Sequence, residues 1–242
     1  MIFPARIAIS LTAVLTLGAA TGASAQGTLQ KVRDRGVVVC GVNTGIAGFS
    51  APDDKGDWSG IDVDVCRAVA AGIFKDAGKV KYVPLTAKER FTALQSGEVD
   101  LLSRNTTWTM SRDTSAGMTF TGVTYYDGQG FMIPKGLDVK SGKELSGASI
   151  CVQTGTTTEL NVADFFRRNN LDYKPVVFEK LPETIAAYAA GRCDVFTSDV
   201  SQLYGTRLTL ANPEDHVVLP DVISKEPLGP AVRQGDAQWA NI

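Results

Sequence analysis

The sequence predicts an α/β protein built from two similar lobes joined by two connecting segments. Three observations carry that expectation. Short β-branched runs alternate with amphipathic helical segments, a pattern that favours mainly parallel sheets. The same order of elements, with the same glycine punctuation, occurs twice along the chain. Two turn-rich segments, at 125–130 and 225–230, fall where a chain would cross from one lobe to the other and back.

Residues 1–25 read as an export signal rather than part of the fold. Arg6 supplies a short basic region, Ile7 to Ala20 is an apolar run too short to be a stable span, and Ala23-Ser24-Ala25 is an A-x-A cleavage site. The expected mature chain starts at Gln26 and is extracytoplasmic. Arg6 is the one charged residue before Gln26, so processing moves the formal charge from −2 to −3. With no basic block, that balance argues against a nucleic-acid partner. Of 242 residues, 217 remain after removal of 25, and a composition of 44% hydrophobic and 21% charged residues is that of an ordinary globular protein.

The first half opens with a buried strand from Val37 to Val42, closed by the polar loop Asn43-Thr44-Gly45. Ile61, Val65, Val69 and Ile73 recur every four residues and mark one face of a helix. Val80 to Leu85 is a second strand. A helix over Lys88 to Ser96 is expected to bury Phe91 and Leu94 and to stop at Gly97, which leads into a strand at Asp100. That strand changes abruptly into hydroxyls, an amide and arginines over Ser103 to Arg112. Such a strand end is suited to a carboxylate, because guanidinium is a planar fork and threonine hydroxyls add donors. An ordinary solvated loop fits the same residues.

The second half repeats this order. A strand over Gly147 to Val152 ends at Gln153-Thr154-Gly155, an echo of Asn43-Thr44-Gly45. Thr156 to Glu159 reads as a capping box on a helix carrying Leu160, Ala163 and Phe166. Tyr173 to Phe178 is a strand, and Pro182 opens the next helix, where a missing N–H costs little. Gly191 to Phe196 then repeats the form of Gly97 to Leu102.

The segments at 125–130 and 225–230 read either as hinge strands between the lobes or as two ordinary turns. The division expected is 26–124 for lobe 1, 125–130 for the first hinge segment, 131–224 for lobe 2 and 225–230 for the second. Residues 231–242 return to lobe 1. Four cysteines, Cys40, Cys66, Cys151 and Cys193, permit three pairings. Cys40–Cys66 with Cys151–Cys193 is favoured because each pair stays within one half; free thiols fit only a chain that is not exported. Zinc is a poor reading, since no C-x-x-C occurs and His216 is the one histidine.

These strings resemble the periplasmic amino-acid-binding proteins of ABC importers, the type II bilobal solute-binding fold, and within them the general L-amino-acid-binding subgroup. The residues responsible are Cys40 to Gly45, Gly60 to Asp64, Lys88 to Asp100, Ser103 to Thr109, Gln153 to Glu159, and Ser198-Asp199. The resemblance implies a non-enzymatic monomer, without cofactor or metal, that loads an L-amino acid in an interlobe cleft and delivers it to a membrane-embedded permease.

Position by position, the resemblance implies that Arg112 binds the ligand α-carboxylate as a fork. It places Asn105, Thr107 and Thr157 at the same end of the ligand, and has Asp199 accept from the α-ammonium. A few charge-assisted hydrogen bonds of roughly 1.5–3 kcal/mol each support micromolar affinity, about −8 kcal/mol. Arg90 matches a position that meets the side chain in binders of acidic amino acids, and reads equally as a solvated helix residue. Arg104, Trp108 and Phe49 are further candidates for the pocket wall. Ile46 departs from the family, where an aromatic often covers the ligand. Family members also continue beyond the second crossing, so lobe 1 is expected to lack helices after Ile242 and to expose apolar surface. The rival readings are a prephenate- or arogenate-dehydratase-like enzyme on the same fold and a receptor sensor domain. The first lacks a G-x-S-x-G, a metal-ligand set or a histidine near the site; no membrane-spanning helix after the lobes supports the second.

Overall fold

The computed structural model describes residues 27–242; the expected signal peptide and its cleavage after Ala25 lie outside these residues. Among them, no helix is long and apolar enough to cross a membrane. The first half of the chain runs α1 (Thr28–Arg35), β1 (Val38–Val42), a short hairpin of β2 (Ala51–Pro52) and β3 (Trp58–Ser59), then α2 (Ile61–Phe74). It continues through β4 (Val80–Pro84), α3 (Arg90–Ser96), β5 (Leu101–Leu102), α4 (Met110–Ser115) and β6 (Met118–Phe120). After β7 (Tyr125–Asp127) come β8 (Gln129–Pro134), β9 (Ser149–Gln153), α5 (Thr157–Arg168) and β10 (Lys174–Phe178). Then follow α6 (Leu181–Ala189), β11 (Val195–Asp199), α7 (Val200–Arg207) and β12 (His216–Val218). The chain closes with β13 (Glu226–Leu228), β14 (Ala231–Arg233) and α8 (Ala237–Ala240).

Two five-stranded sheets result, ordered β4-β1-β5-β14-β6 and β10-β9-β11-β8-β12. They are the same diagram twice. In each, the second strand across the sheet, β1 or β9, lies between two parallel neighbours, and the fourth, β14 or β8, runs antiparallel. Four of the five strands in each sheet run in one direction, so the sheets are mainly parallel as the alternation of strands and helices predicts, with β14 and β8 the exceptions. The reason is that β8 and β14 each enter after a crossing, from the opposite end of the sheet. β7 and β13 pair antiparallel as a two-stranded ribbon between the sheets, with Tyr126 opposite Pro227. Trp108 N–H donates to the Pro227 carbonyl at 2.8 Å, which ties the loop after β5 to this ribbon.

Each sheet is sealed by a disulfide. Cys40 on β1 joins Cys66 on α2, with Cα atoms 6.2 Å apart, and Cys151 on β9 joins Cys193 before β11 at 5.6 Å. Both lie in hydrophobic clusters, the first with Val32, Leu101 and Trp239, the second with Phe196 and Tyr188. Two helix faces are rotated from their expected positions. The fully buried face of α2 is Val63, Cys66 and Ala70 with Asp62, flanked by the predicted Ile61, Val65, Val69 and Ile73. In α5 the buried residues are Thr158, Val162 and Phe166, and Leu160 is 70% exposed. In α3, Leu94 is buried as expected but Phe91 is half-buried, its face lying under two guanidinium groups. The Thr156 hydroxyl caps α5 by accepting from the Glu159 N–H at 3.1 Å, while the Glu159 carboxylate accepts from Gly155 N–H and the Thr154 hydroxyl. The cap thus closes one residue earlier than an ordinary capping box.

Candidate functional site

In an α/β sheet, loops at the carboxyl ends of parallel strands are the natural place for a ligand. Here the two sheets present those ends to one shared cavity. Asn43 follows β1, Arg104 and Asn105 follow β5, Gln153 ends β9, and Ser198 and Asp199 end β11; all line the cavity. The first turn of α5 adds Thr156, Thr157 and Thr158, α3 adds Arg90, and α7 adds Gln202. A helix N-terminus is a favourable place for an anion, because its first N–H groups are free of intrahelical partners.

The lobes touch across this cavity. Arg90 Nη2 donates to the Gly155 carbonyl at 3.2 Å, and Lys88 pairs with Glu179 at 3.7 Å. The Thr107 and Thr157 hydroxyl oxygens are 3.3 Å apart. About 20 Å³ is left for the centres of water-sized molecules, room for roughly one water. A ligand larger than a water does not fit in this arrangement.

The charges on the wall are unusual. Arg90 and Arg104 are 3% and 2% exposed. Burial, together with the neighbouring Arg104 and Arg112, holds the Arg90 guanidinium well below its ordinary pKa. Burial also lowers Arg104 to about 10, against the attraction of Asp62. Arg104 Nε donates to the Leu85 carbonyl at 2.9 Å. Arg90 Nε and Arg104 Nη2 are buried donors with no hydrogen-bond partner in the protein. Unpaired buried donors are costly, on the order of 1–3 kcal/mol each, so two on one cavity wall mark a place for acceptors.

Asp199 faces them from the second lobe. Burial, with Glu226 and Asp127 nearby, pushes its carboxyl up to about 8 against the opposing pull of Asn105 and Arg90. Asp62 lies behind the loop after β5 and accepts from the Asn105 N–H at 2.8 Å. Burial raises its carboxyl to about 6. That bond holds Asn105 in a left-handed conformation (φ 36°), from which its side-chain oxygen accepts from Asn43 Nδ2 at 3.1 Å.

Five of the six residues singled out from sequence, Arg90, Asn105, Thr107, Thr157 and Asp199, line this cavity. Arg90 is a wall residue and not a solvated one. Arg112 stands just behind: it is 8% exposed, its Nη1 donates to the Thr107 carbonyl at 2.9 Å, and its guanidinium lies over the Phe91 ring at 5.2 Å. Burial lowers it to about 10, opposed by Glu226 and Asp199. Phe49 and Ile46 are core residues of the second-lobe cluster, and Trp108 stacks on Phe120 at 5.4 Å; none of the three lines the cavity. His216 is also absent from the wall and contacts the Tyr188 hydroxyl at 2.7 Å.

Glu226 was invisible in the sequence. It is 2% exposed on β13, where its carboxylate accepts from Thr107, Thr157, Asn161 and Ser224. A Lys-Glu-Pro string in a turn-rich crossing looks like a solvated corner, and nothing local distinguishes it.

Residues 38–241 match the model of the bacterial extracellular solute-binding proteins, family 3. The chain belongs to this family. It is 66% identical over 230 residues to the general L-amino acid-binding periplasmic protein AapJ of Rhizobium johnstonii, covering 95% of this chain and 67% of that protein. It is 57% identical over 221 residues to the glutamate/glutamine/aspartate/asparagine-binding protein BztA of Rhodobacter capsulatus, with 91% and 65% covered. A periplasmic binding protein of an ABC transporter from Brucella ovis, solved with glutathione bound, superposes with a TM-score of 0.87 at 65% identity. That match covers 89% of this chain and 68% of the other. The fold is the type II periplasmic-binding-protein fold, and these relatives are ABC-transporter binding proteins, not dehydratases.

Proposed function

We propose that this family member is an extracytoplasmic binding protein that closes on an L-amino acid with an acidic or amide side chain and passes it to an ABC permease. The single observation that carries the reading is the pairing, in one cavity, of Asp199 from one sheet with the partnerless donors Arg90 Nε and Arg104 Nη2 from the other. The carboxylate suits an ammonium, and the two guanidinium groups suit a carboxylate or amide carbonyl. The names of BztA and AapJ, a binder of those four amino acids and a general amino-acid binder, agree with this chemistry. Lobe 1 over 26–124, lobe 2 over 131–224 and hinge segments at 125–130 and 225–230 are the division that goes with it. In this reading the protein is a monomer and not an enzyme, since a closed cleft whose titratable groups serve the poles of the ligand leaves no free acid or base for turnover.

Arg112, which stands just behind the wall with its Nη1 on the Thr107 carbonyl, is assigned to the carboxylate end of the ligand. Titration calorimetry with a panel of amino acids tests the function. Binding of Glu, Gln, Asp and Asn without consumption is expected; no heat with any amino acid, or turnover, overturns it. Asp199→Ala abolishes binding throughout, whereas Arg90→Met and Arg104→Met lower affinity for acidic and amide ligands more than for Ala.

A further inference from the structure

The second sheet is covered unevenly on the face that carries α5. Phe131, Ile150 and Val195, from β8, β9 and β11, pack there with Val162 and Phe166 of α5. Side chains alternate between the faces of a strand. Along β8 and β12, Ile133, Val217 and Leu219 therefore share the α5 face, whereas Met132 and Val218 belong to the cluster on the other. What stands over the outer pair on the α5 face is a strap with two short turns, Lys135–Leu137 and Gly142–Glu144.

Between strap and sheet lies a cavity of about 520 Å³, open to solvent and walled by Ile133, Val139, Val217, Leu219 and Pro220. Protein interiors pack closely, so such a gap persists where its walls are pinned. Here the Ser141 hydroxyl donates to Asp221 Oδ1 at 3.0 Å, and Gly142 N–H donates to Oδ2 at 2.9 Å. Gly142 already touches the ring of Phe131, where a Cβ would stand 2.7 Å away. The strap has no room to settle further onto the sheet.

The cavity is apolar inside and cationic at its mouth. Lys140 pairs with Asp138 at 2.7 Å. That leaves Lys135 as the lining cation with no carboxylate partner among the described residues. No other polar side chain lines the wall, so an occupant can bury aliphatic surface there but no hydrogen-bonding group. The volume falls within the range of small-molecule sites, roughly 300–1,000 Å³.

We propose that this cavity is a second binding site, for a medium-chain aliphatic carboxylate whose chain enters between Val139 and Val217 and whose head meets Lys135. The site shares no residue with the amino-acid cleft. It also lies toward the other end of the sheet: β8 runs antiparallel to β11, with Gln129 opposite Asp199 and Met132 opposite Phe196, and Ile133 and Lys135 come after.

The test is calorimetry of the whole chain with hexanoate, octanoate, decanoate and 1-octanol, each below its aggregating concentration. One molecule per chain is expected, with affinity for the carboxylates rising about fourfold per added methylene until the cavity is full. Lys135→Glu should weaken octanoate several-fold and leave 1-octanol unchanged. Val217→Trp fills the cavity and should abolish binding of all three carboxylates, while binding of L-glutamine stays at the wild-type level. Wild-type protein that takes up none of the three overturns the proposal, as does uptake that survives in a folded Val217→Trp. Where that variant does not fold, uptake that survives in Val139→Trp does so. An equal effect of Lys135→Glu on octanoate and 1-octanol overturns the place given to the head group. Attachment to phosphatidylglycerol vesicles without uptake of a free carboxylate also overturns the proposal and marks a membrane-binding surface instead.

Discussion

The pH dependence of cleft closure follows from Asp199. In the closed arrangement its carboxyl is raised from 3.8 to about 8, with burial the largest cause. Arg90 comes from α3, Asn105 from the loop after β5, and Asp127 and Glu226 from the ribbon; all four face Asp199. When the lobes part, water reaches the carboxyl and its ordinary value returns. Between those two values, closing without an amino acid takes up one proton. The sign is then fixed: the cost of closing is absent below pH 3.8, grows through the interval, and is complete above about 8. Each pH unit inside the interval changes the closing constant tenfold, or 1.36 kcal/mol. From pH 5 to pH 7 the closed fraction of ligand-free protein should therefore fall by roughly 100-fold in equilibrium constant.

Single-molecule energy transfer between dyes placed one on each lobe reads this directly. Asp62 also titrates in the window, near 6, but its partners Ser103, Asn105 and Arg104 all belong to the first half of the chain. Asp199→Asn separates the two and should remove the dependence. Saturating L-glutamine should hold the lobes closed at both pH values, because the ammonium takes the place of the proton. A closed fraction that ignores pH in the wild type, or that varies equally in Asp199→Asn, refutes the reasoning.

Three further outcomes are expected. Replacing Cys40 and Cys66 with Ala should cost about 3.5 kcal/mol, and replacing Cys151 and Cys193 about 4 kcal/mol, from loops of 26 and 42 residues; urea unfolding measures both. Gly229→Ala should destabilise by about 1–3 kcal/mol or more, since a Cβ there stands 1.9 Å from the Gly122 carbonyl oxygen beside the ribbon. Thermal unfolding checks it. Phe166→Ala should lose about 3–5 kcal/mol, because the ring is buried among Phe131, Phe165 and Tyr173; the same urea assay applies.

Local pattern was enough for most of the elements, and for a physical reason. Strand runs such as Val38–Val42 and stop signals such as Gly97 act within a few residues, so the repeated order was legible and the two sheets do share one diagram. Helix faces were less so. In α2 a disulfide and the bond from Asn105 to Asp62 pull the face toward Cys66 and Asp62, and no apolar periodicity announces either. In α5 the apolar Leu160 lies outside while Thr158 is buried, because the first turn of that helix belongs to the cleft. Pairing of the cysteines was legible because each pair stays within its own half of the chain.

The cleft itself divides along the same line. Arg104 and Asn105 could be read because a strand that ends in donors is a local signal. Glu226 could not, since its meaning comes from a hydroxyl 119 residues earlier in the chain. The partner that holds the Thr107 hydroxyl therefore lies in the second crossing, far from the loop that carries it. That arrangement has a physical logic. The carboxylate on the ribbon collects one donor from each lobe, Thr107 from the first and Thr157 from the second. The ribbon is thereby the part of the molecule that both walls of the cleft share.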